Sequence, residues 1–548
     1  MCKACFNRSV GLQCKNRIDL YVYNGTMISK KSILLFLWVA GCILMLPVKS
    51  YSRSVIGIGT QEQFDSIAIM IRRQLENGEK DICIKLLPGK FKFSENHIQL
   101  QGLNFPKANI TVSGSNGTTV YSEGMGYSRG DRYIYGFNHQ NTFLDEKMQE
   151  VSLWSESLIA NDTICVVNPK TKKCFIPYRG LEAQAGELCK YTYVLVTMWF
   201  YSSIYKVSEI TDEGVWFECA DLNNSNWLKS YNVNLDYAYT RHCKVPIQMP
   251  RFRLCNMLMA SNSIADGRIK SEKKRLHECR NTTFISLEGC KLKSFNIDSI
   301  CFKGNANNWN RYLIQSSDCK LTKGLNITNN SFIYLKSLAV FANATDNVTF
   351  SNNRAKHCSS GILRSLNNCK NTKVLNNRFE QCGTGQTNIP LVQTIGTNFL
   401  VKGNILSDFG YSGLNSGVYW GDEMKYRCSG IIEDNELYYT DLTLDNIEKI
   451  TLIDSGAIYI ATQNYKTIIR NNYIHDYAGI WDYRGIYMDD GANNCQVYNN
   501  KIRNTPTSYN IQFSTQGKED DPRNKSPYFC IGNQEWNNDC DGKIYLKR

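Results

Sequence analysis

Two adjacent carboxylates, Asp489 and Asp490, end the stretch Gly485-Ile486-Tyr487-Met488 of this 548-residue chain. They gain meaning from a near-copy upstream. Gly456-Ala457-Ile458-Tyr459-Ile460 runs on to Ile468-Ile469-Arg470-Asn471-Asn472-Tyr473-Ile474, and the second copy runs on to Val497-Tyr498-Asn499-Asn500-Lys501-Ile502. Where the first copy has Ala461 and Thr462, the second has the two acids. A repeat that keeps its apolar skeleton but exchanges small residues for acids reads as a scaffold carrying a grafted site. Two carboxyls can divide the work on a glycosidic bond, one as general acid and the other as base on water or as nucleophile. Asp490-Gly491 also reads as a plain turn.

Strand alternation extends the candidate set. If Ile486 and Met488 face a core, Tyr487 and Asp489 face outward, and so do Tyr459 and Ala461 in the copy. Val418, Tyr419 and Trp420 fit the same frame, with Asp422 and Glu423 just beyond. The alignment stacks Tyr419, Tyr459 and Tyr487 as an exposed aromatic ladder, a platform for sugar rings or ordinary rung stacking. It sets Asp422 in line with Thr462 and Asp490. Rungs ~4.8 Å apart put carboxyls one or two rungs apart at roughly 5 to 10 Å, which covers both retaining and inverting hydrolysis. Asp454, before the neighbouring strand, is a third catalytic candidate or a strand-turn cap. His475 touches substrate or is structural. Arg484 binds an acidic substituent or pairs with Asp482.

The elements that must position these residues follow a rhythm. The second Asn of each Asn-Asn pair, or its equivalent, falls at Asn330, Asn353, Asn377, Asn404, Asn435, Asn472 and Asn500. An apolar-Asn-Asn-apolar unit recurring every 20 to 40 residues or so marks a solenoid, and alternation of apolar and polar residues makes it a solenoid of strands. Asn tolerates left-handed backbone at tight turns, and identical Asn residues hydrogen-bond along a stack. Asn353 and Asn377 should therefore lie on adjacent coils. The later repeats carry loops at Gly383 to Leu391, Gly410 to Arg427, Asp441 to Asp454 and Ala478 to Arg484, and such loops gather on one face, often the binding face.

Before the repeats, Gln61 to Asn77 places Phe64, Ile67, Ile69, Ile71 and Leu75 near one helical face. Short strands follow, including Ile82 to Leu87 and Ile110 to Ser113. Residues 127–281 break the rhythm, with Trp154, Trp199, Trp216 and Trp227 and the alternating run Tyr191 to Phe200. The reading is a signal or targeting segment over 1–50, an N-terminal cap and the first β-helix strands over 51–126, an inserted β-rich module over 127–281, parallel β-helix repeats over 282–515, and a C-terminal cap over 516–548.

Lys30-Lys31 before the uncharged run Ile33 to Leu46 fits a secretory signal, with translation from Met1 or Met27. Val39-Ala40-Gly41-Cys42 gives lipidation at Cys42 as an alternative. Export places the protein in the periplasm, on the cell surface or outside the cell. The formal charge is +13; removing the +6 of residues 1–50 leaves +7. A balance of that size helps an acidic polysaccharide dock, and its scatter argues against nucleic acid. The expected state is a monomer. Of 22 Cys, 18 follow Cys42 with no CxxC pair and no zinc pattern, so no metal site is expected. Cys358 and Cys382 read as stacked buried thiols, and Cys530 with Cys540 as a disulfide.

"LLPGKFKF" and "ITVSG" after a capping helix resemble the opening of secreted right-handed parallel β-helix proteins. "SGAIYI…IIRNNYIHDY…RGIYMDDG…CQVYNNKI" resembles the β-helical glycoside hydrolases of gut-type bacteria, within the pectate-lyase-like superfamily. The resemblance covers about 282–510. It implies an all-β right-handed parallel β-helix with catalytic Asp residues at strand ends, here Asp489, Asp490 and Asp454, no cofactor, and a polysaccharide or oligosaccharide substrate. Polysaccharide lyase on the same fold is the alternative, with Ca²⁺ held by Asp489, Asp490 and Asp482 and Arg484 as base. A non-catalytic glycan-binding or surface solenoid is the third reading.

Overall fold

The computed structural model describes residues 54–93, 97–121, 142–144, 150–152, 166–168, 173–177, 193–198, 201–211, 214–218, 251–255, 283–304, 312–335, 338–358, 360–383, 389–417, 427–442, 455–461, 464–479, 483–489, 491–505, 509–514 and 530–546. The leader, Cys42, Asp422, Glu423, Asp454, Asp482 and Asp490 lie outside them. No helix among the described residues is long and apolar enough to cross a membrane.

Alternating strands join in parallel from coil to coil, giving a right-handed parallel β-helix with three stacks of strands. The first stack includes Ser455–Ile460, Tyr483–Met488 and Ile511–Phe513. The second includes Ile468–Arg470 and Gln496–Tyr498, and the third Tyr473–His475 and Lys501–Arg503. Each coil visits them in that order. Val392–Lys402 runs unbroken through the first two stacks, which therefore merge into one 23-stranded sheet; the third is an 11-stranded sheet. Inward residues of all three fill one core. Phe284, Phe302, Phe332, Phe350 and Phe379 follow one another through it at centroid spacings of 5.4 to 6.2 Å, stacked or tilted, each pair worth about 1 kcal/mol beyond its buried area.

The turn from second to third stack is built from the Asn pairs. The first member is left-handed, as at Asn352 (φ 55°), Asn376 (φ 54°) and Asn471 (φ 55°). The second turns its amide into the core. Asn353 donates from Nδ2 to Ile327 O (2.9 Å) and to Asn377 Oδ1 (3.1 Å), and its main-chain N–H meets the same Oδ1 at 2.9 Å. Asn377 repeats this with Asn404, and the column runs on through Asn435, Asn472 and Asn500 to Asn538.

That last member corrects one boundary. The repeats do not fade after 515. Gln534–Trp536, Asp539–Cys540 and Ile544–Leu546 extend all three stacks. At the other end, Ser54–Ile58, Asp81–Leu86 and Asn104–Gly114 lie in the second stack. The predicted single helix is two, Gln61–Asp65 and Ile67–Glu76, broken at Ser66. Thr60 and Gln63 form a capping box, and Phe64, Ile67, Ile71 and Leu75 are buried, while Ile69 is exposed. Phe64 stacks near Phe91 and Phe284, so the helices join the core of the first coils.

Between Thr118–Tyr121 and Ile285–Glu288 the chain makes an excursion. Its strands Val166–Asn168, Lys173–Pro177, Tyr193–Met198, Tyr201–Ile210, Gly214–Glu218 and Arg251–Cys255 form a six-stranded antiparallel sheet. Phe175 and Trp216 meet across it at 4.8 Å.

Cys358 and Cys382 are buried thiols on adjacent coils, and burial, together with the hydrogen bond between the two thiols, pushes the Cys382 thiol pKa up. The expected Cys530–Cys540 disulfide is absent. Cys530 donates its thiol to Asp489 O at 3.1 Å, and Cys540 sits in the third stack beside Ile502.

Asn377→Ala would remove the acceptor of the Asn353 N–H and of one Asn353 Nδ2 hydrogen and the donor to the Phe350 carbonyl, so a loss of about 3 kcal/mol is expected. Asn376→Gly keeps the left-handed turn and should stay within about 1 kcal/mol. Urea titration of both variants checks this; equal effects would contradict the amide column.

Candidate functional site

The stacks differ at their ends. Second-to-third turns are two residues long wherever an Asn pair or its equivalent makes them, as between Arg470 and Tyr473. Longer connections enter the first stack, as from Tyr438 to Ser455, or leave it, as from Ser416 to Ser429 and from Phe513 to Gln534. The Gly383 to Leu391, Asp441 to Asp454 and Ala478 to Arg484 segments all lead into this stack. The supposed 410–427 loop contains one of its strands, Leu414–Ser416.

Register then fixes who stands beside whom. Ile458 pairs with Ile486, Tyr459 with Tyr487, and Ile460 with Met488. The tyrosine rings stack with centroids 4.9 Å apart and planes 6° from parallel. They are not the expected exposed platform. Tyr459 is 2% exposed and Tyr487 6%, because the outward rings cover one another and cluster with Tyr411 and Ala461. On the coil before, it is Asn415 that pairs with Tyr459; Tyr419, like Asp422 and Asp490, lies outside the described residues.

Asp489 follows the strand Tyr483–Met488 and is held in the ladder by its N–H to Ile460 O (2.7 Å). Its carboxylate is half-buried and accepts from both neighbouring coils. Tyr459 Oη donates to Oδ2 at 2.5 Å, and Ser514 Oγ to Oδ1 at 2.8 Å. Behind Tyr459 a polar chain continues rung by rung. Asn415 Nδ2 donates to Tyr459 O (3.0 Å), Gln393 Nε2 to Asn415 Oδ1 (3.0 Å), and Arg364 Nε to Gln393 Oε1 (2.6 Å). Gly417 serves this row. Its φ is +113°, and a Cβ there would sit 2.3 Å from Ala461 O. Its carbonyl also accepts from Gln393 Nε2 at 3.3 Å.

Arg484 is second in the strand Tyr483–Met488, opposite Gly456, and lies against the tyrosine row. It is buried, its guanidinium lies over the Tyr487 ring at 4.0 Å, and Nε donates to Gln512 Oε1 at 2.6 Å. His475 is elsewhere. It lies in the third stack, between the rings of Tyr438 (4.9 Å) and Tyr473 (4.2 Å), with Asp476 at 2.7 Å and Glu436 at 3.2 Å. The hydrogen bond with His475 holds the Asp476 carboxyl below the usual range. This is a cross-strand structural cluster, so the structure separates His475 from Asp489. Ser455, the residue after Asp454, pairs with Tyr483 at the start of the strand that Asp489 follows.

Among the described residues no three His, Cys, Asp or Glu side chains gather as a metal site. Ser514, Gln512, Asn415, Gln393 and Arg364 were not anticipated. A signal for Ser514 exists: Ile511-Gln512-Phe513-Ser514 repeats the frame of Ile486-Tyr487-Met488-Asp489 one coil on.

No protein-family model matches the chain, and no curated protein does. Among solved structures, one titled glycoside hydrolase is similar over 89% of this chain and 96% of that chain, at 11% identity and a TM-score of 0.50. The Gp54 tailspike of Acinetobacter baumannii bacteriophage AP22, in complex with A. baumannii capsular saccharide, aligns over 86% of this chain and 73% of that one at 8% identity; its TM-score of 0.15 is too low to argue from. The first likeness shows a shared β-helix fold.

The Tyr459–Asp489 contact has a direct check. A double-mutant cycle with Tyr459→Phe and Asp489→Ala should give a coupling of about 1 kcal/mol or more in stability. Additivity within about 0.3 kcal/mol would mean the bond is not made in solution.

Proposed function

We propose that this protein is an exported carbohydrate-active enzyme that hydrolyses glycosidic bonds on the outward face of the first stack, with Asp489 as a reacting carboxylate. One observation carries the reading. A half-buried Asp stands at a strand end on the stack where the long connections gather, gripped from the coil before by Tyr459 and from the coil after by Ser514. Such a grip orients a carboxylate that must meet one atom of a substrate, and rigid elements position it better than loops do. A carboxylate that accepts two hydrogen bonds suits the base or nucleophile of glycoside hydrolysis. Asp490, next in the chain, is the proposed general acid, with Asp454 as the second candidate.

The neighbour titled glycoside hydrolase supports the fold's capacity for this chemistry and says nothing of the sugar. Arg484 does not favour the lyase alternative. A proton-abstracting base must reach the substrate, and this guanidinium is buried against Tyr487 and Gln512. Paired carboxylates need no metal, whereas a Ca²⁺-assisted lyase does.

The test is a panel of plant and host polysaccharides with and without EDTA. Release of reducing ends that survives EDTA is expected; an unsaturated, ultraviolet-absorbing product lost with EDTA would favour the lyase. On a verified substrate, Asp489→Asn should lower the rate by about two orders of magnitude or more, because it removes the charge and keeps the volume. Near-full activity of that variant would move the site elsewhere.

A further inference from the structure

The polar chain that ends on Asp489 begins on Arg364. Four register steps separate the rung of Arg364 from that of Tyr487: Gln393, Asn415, Tyr459, Tyr487. At ~4.8 Å per rung the two ends are roughly 19 Å apart along one face. Arg364 is half-buried, and only its Nε is committed, to Gln393. Gln393 is 1% exposed and is itself pinned to Asn415, which is equally buried. The guanidinium is thus anchored at one edge by a fixed partner. Among the described residues, neither of its terminal nitrogens has a hydrogen-bond partner and no carboxylate pairs with it. Other basic side chains on the helix do find acids: Arg378 with Glu380, Lys402 and Arg470 with Glu433, and Arg503 with Asp539. One rung before Arg364 stands Phe341, partly buried and stacked on Tyr312 at 4.1 Å and 11°.

We infer that Arg364 is a substrate-binding residue that recognises a planar or tetrahedral anionic substituent, a carboxylate or a sulfate, on a sugar several units from the cleaved bond, with Phe341 as the flat surface beside it. The inference rests on the reading of the first stack as the glycan face and narrows the substrate to an anionic polysaccharide. The chemistry follows from the guanidinium: it is a permanent cation whose two terminal N–H₂ groups form a fork matched to two oxygens of one anion. Fixing Nε on Gln393 orients that fork before substrate arrives, which lowers the entropy cost of binding. Arg484 cannot serve in this way, since its own guanidinium is covered by Tyr487.

The experiment is affinity electrophoresis of the full chain through gels holding polygalacturonate (carboxylates only), a sulfated fucan (sulfates only) or dextran (neutral), at physiological ionic strength. The Asp489→Asn background prevents turnover. One anionic polymer should retard the protein more than dextran does, and which one identifies the substituent. Arg364→Ala and Arg364→Lys should each weaken that retardation about tenfold or more, Lys because it keeps the charge and loses the fork. Arg354→Ala, on the exposed edge of the third stack, controls for nonspecific charge and should change nothing. Melting temperatures identify any variant that fails to fold; Arg364→Lys, which keeps the aliphatic stem, then decides. Equal retardation by dextran, no retardation by either anionic polymer, an equal loss in Arg354→Ala, or no loss in the Arg364 variants would each overturn the inference. If Asp489→Asn still abolishes cleavage in those cases, the hydrolase reading survives without it.

Discussion

A buried amide must find its partners inside the protein, and the column of Asn side chains makes that requirement govern the whole helix. Each Asn from 330 to 500 gives its Nδ2 to a carbonyl one coil back and to the amide one coil on, while its own N–H meets that same oxygen. No member can slip by one residue without stranding donors on two coils, at a cost of about 1 to 3 kcal/mol for each unpaired group. The second-to-third turn therefore keeps its length wherever the column passes. Variation in coil length has to be absorbed at the two ends of the first stack, and that is where the long connections are.

The first stack inherits both freedom and precision from this arrangement. Its ends can change with little effect on the column, while its strands stay in register because the other two stacks hold them. Outward residues there form a second polar path across the coils, from Arg364 through Gln393, Asn415 and Tyr459 to Asp489. The Asn column sits inside and satisfies itself. This outer path ends on a carboxylate still partly open to solvent, and begins on a cation with donors to spare. That contrast, in two chains of hydrogen bonds on the same scaffold, is what separates a structural network from a usable one.

The scaffold was largely legible because both its signals are local. Alternation gave the strands, and Asn-Asn spacing gave the coils, including the stacking of Asn353 on Asn377. The pairing of Tyr459 with Tyr487 followed from matching two nearly identical segments. Where segments differ, matching failed: Tyr419 looked like the next rung, but the chain enters the stack earlier, at Leu414, and no sequence pattern says how many residues a connection absorbs. Exposure also escaped, since alternation tells which way Tyr459 points and not what lies over it. His475 shares a coil with the site and faces another side. Cys530 and Cys540 looked paired because they are close in sequence, yet one belongs under Asp489 and the other in the third stack. The last coil was hidden by a long connection before Asn537-Asn538.

The excursion between Tyr121 and Ile285 leaves the ladders unbroken: Ile98 lies against Ile285, and Thr119 against Cys301. Its cost falls on assembly. Closing a longer loop adds only about 0.6 kcal/mol for each doubling of length, so the finished helix tolerates a guest of this size easily. The early coils nonetheless cannot dock on their neighbours during synthesis until the entire guest has emerged, and contacts of such sequence separation form slowly. Until then the edge at Ile98–Gln101 lacks its neighbour and is a template for pairing with other chains. The guest's own antiparallel sheet pairs only strands that lie within the insertion and can close by itself while that edge waits, which makes the order of folding, and not the final stability, the quantity such an insertion puts under selection.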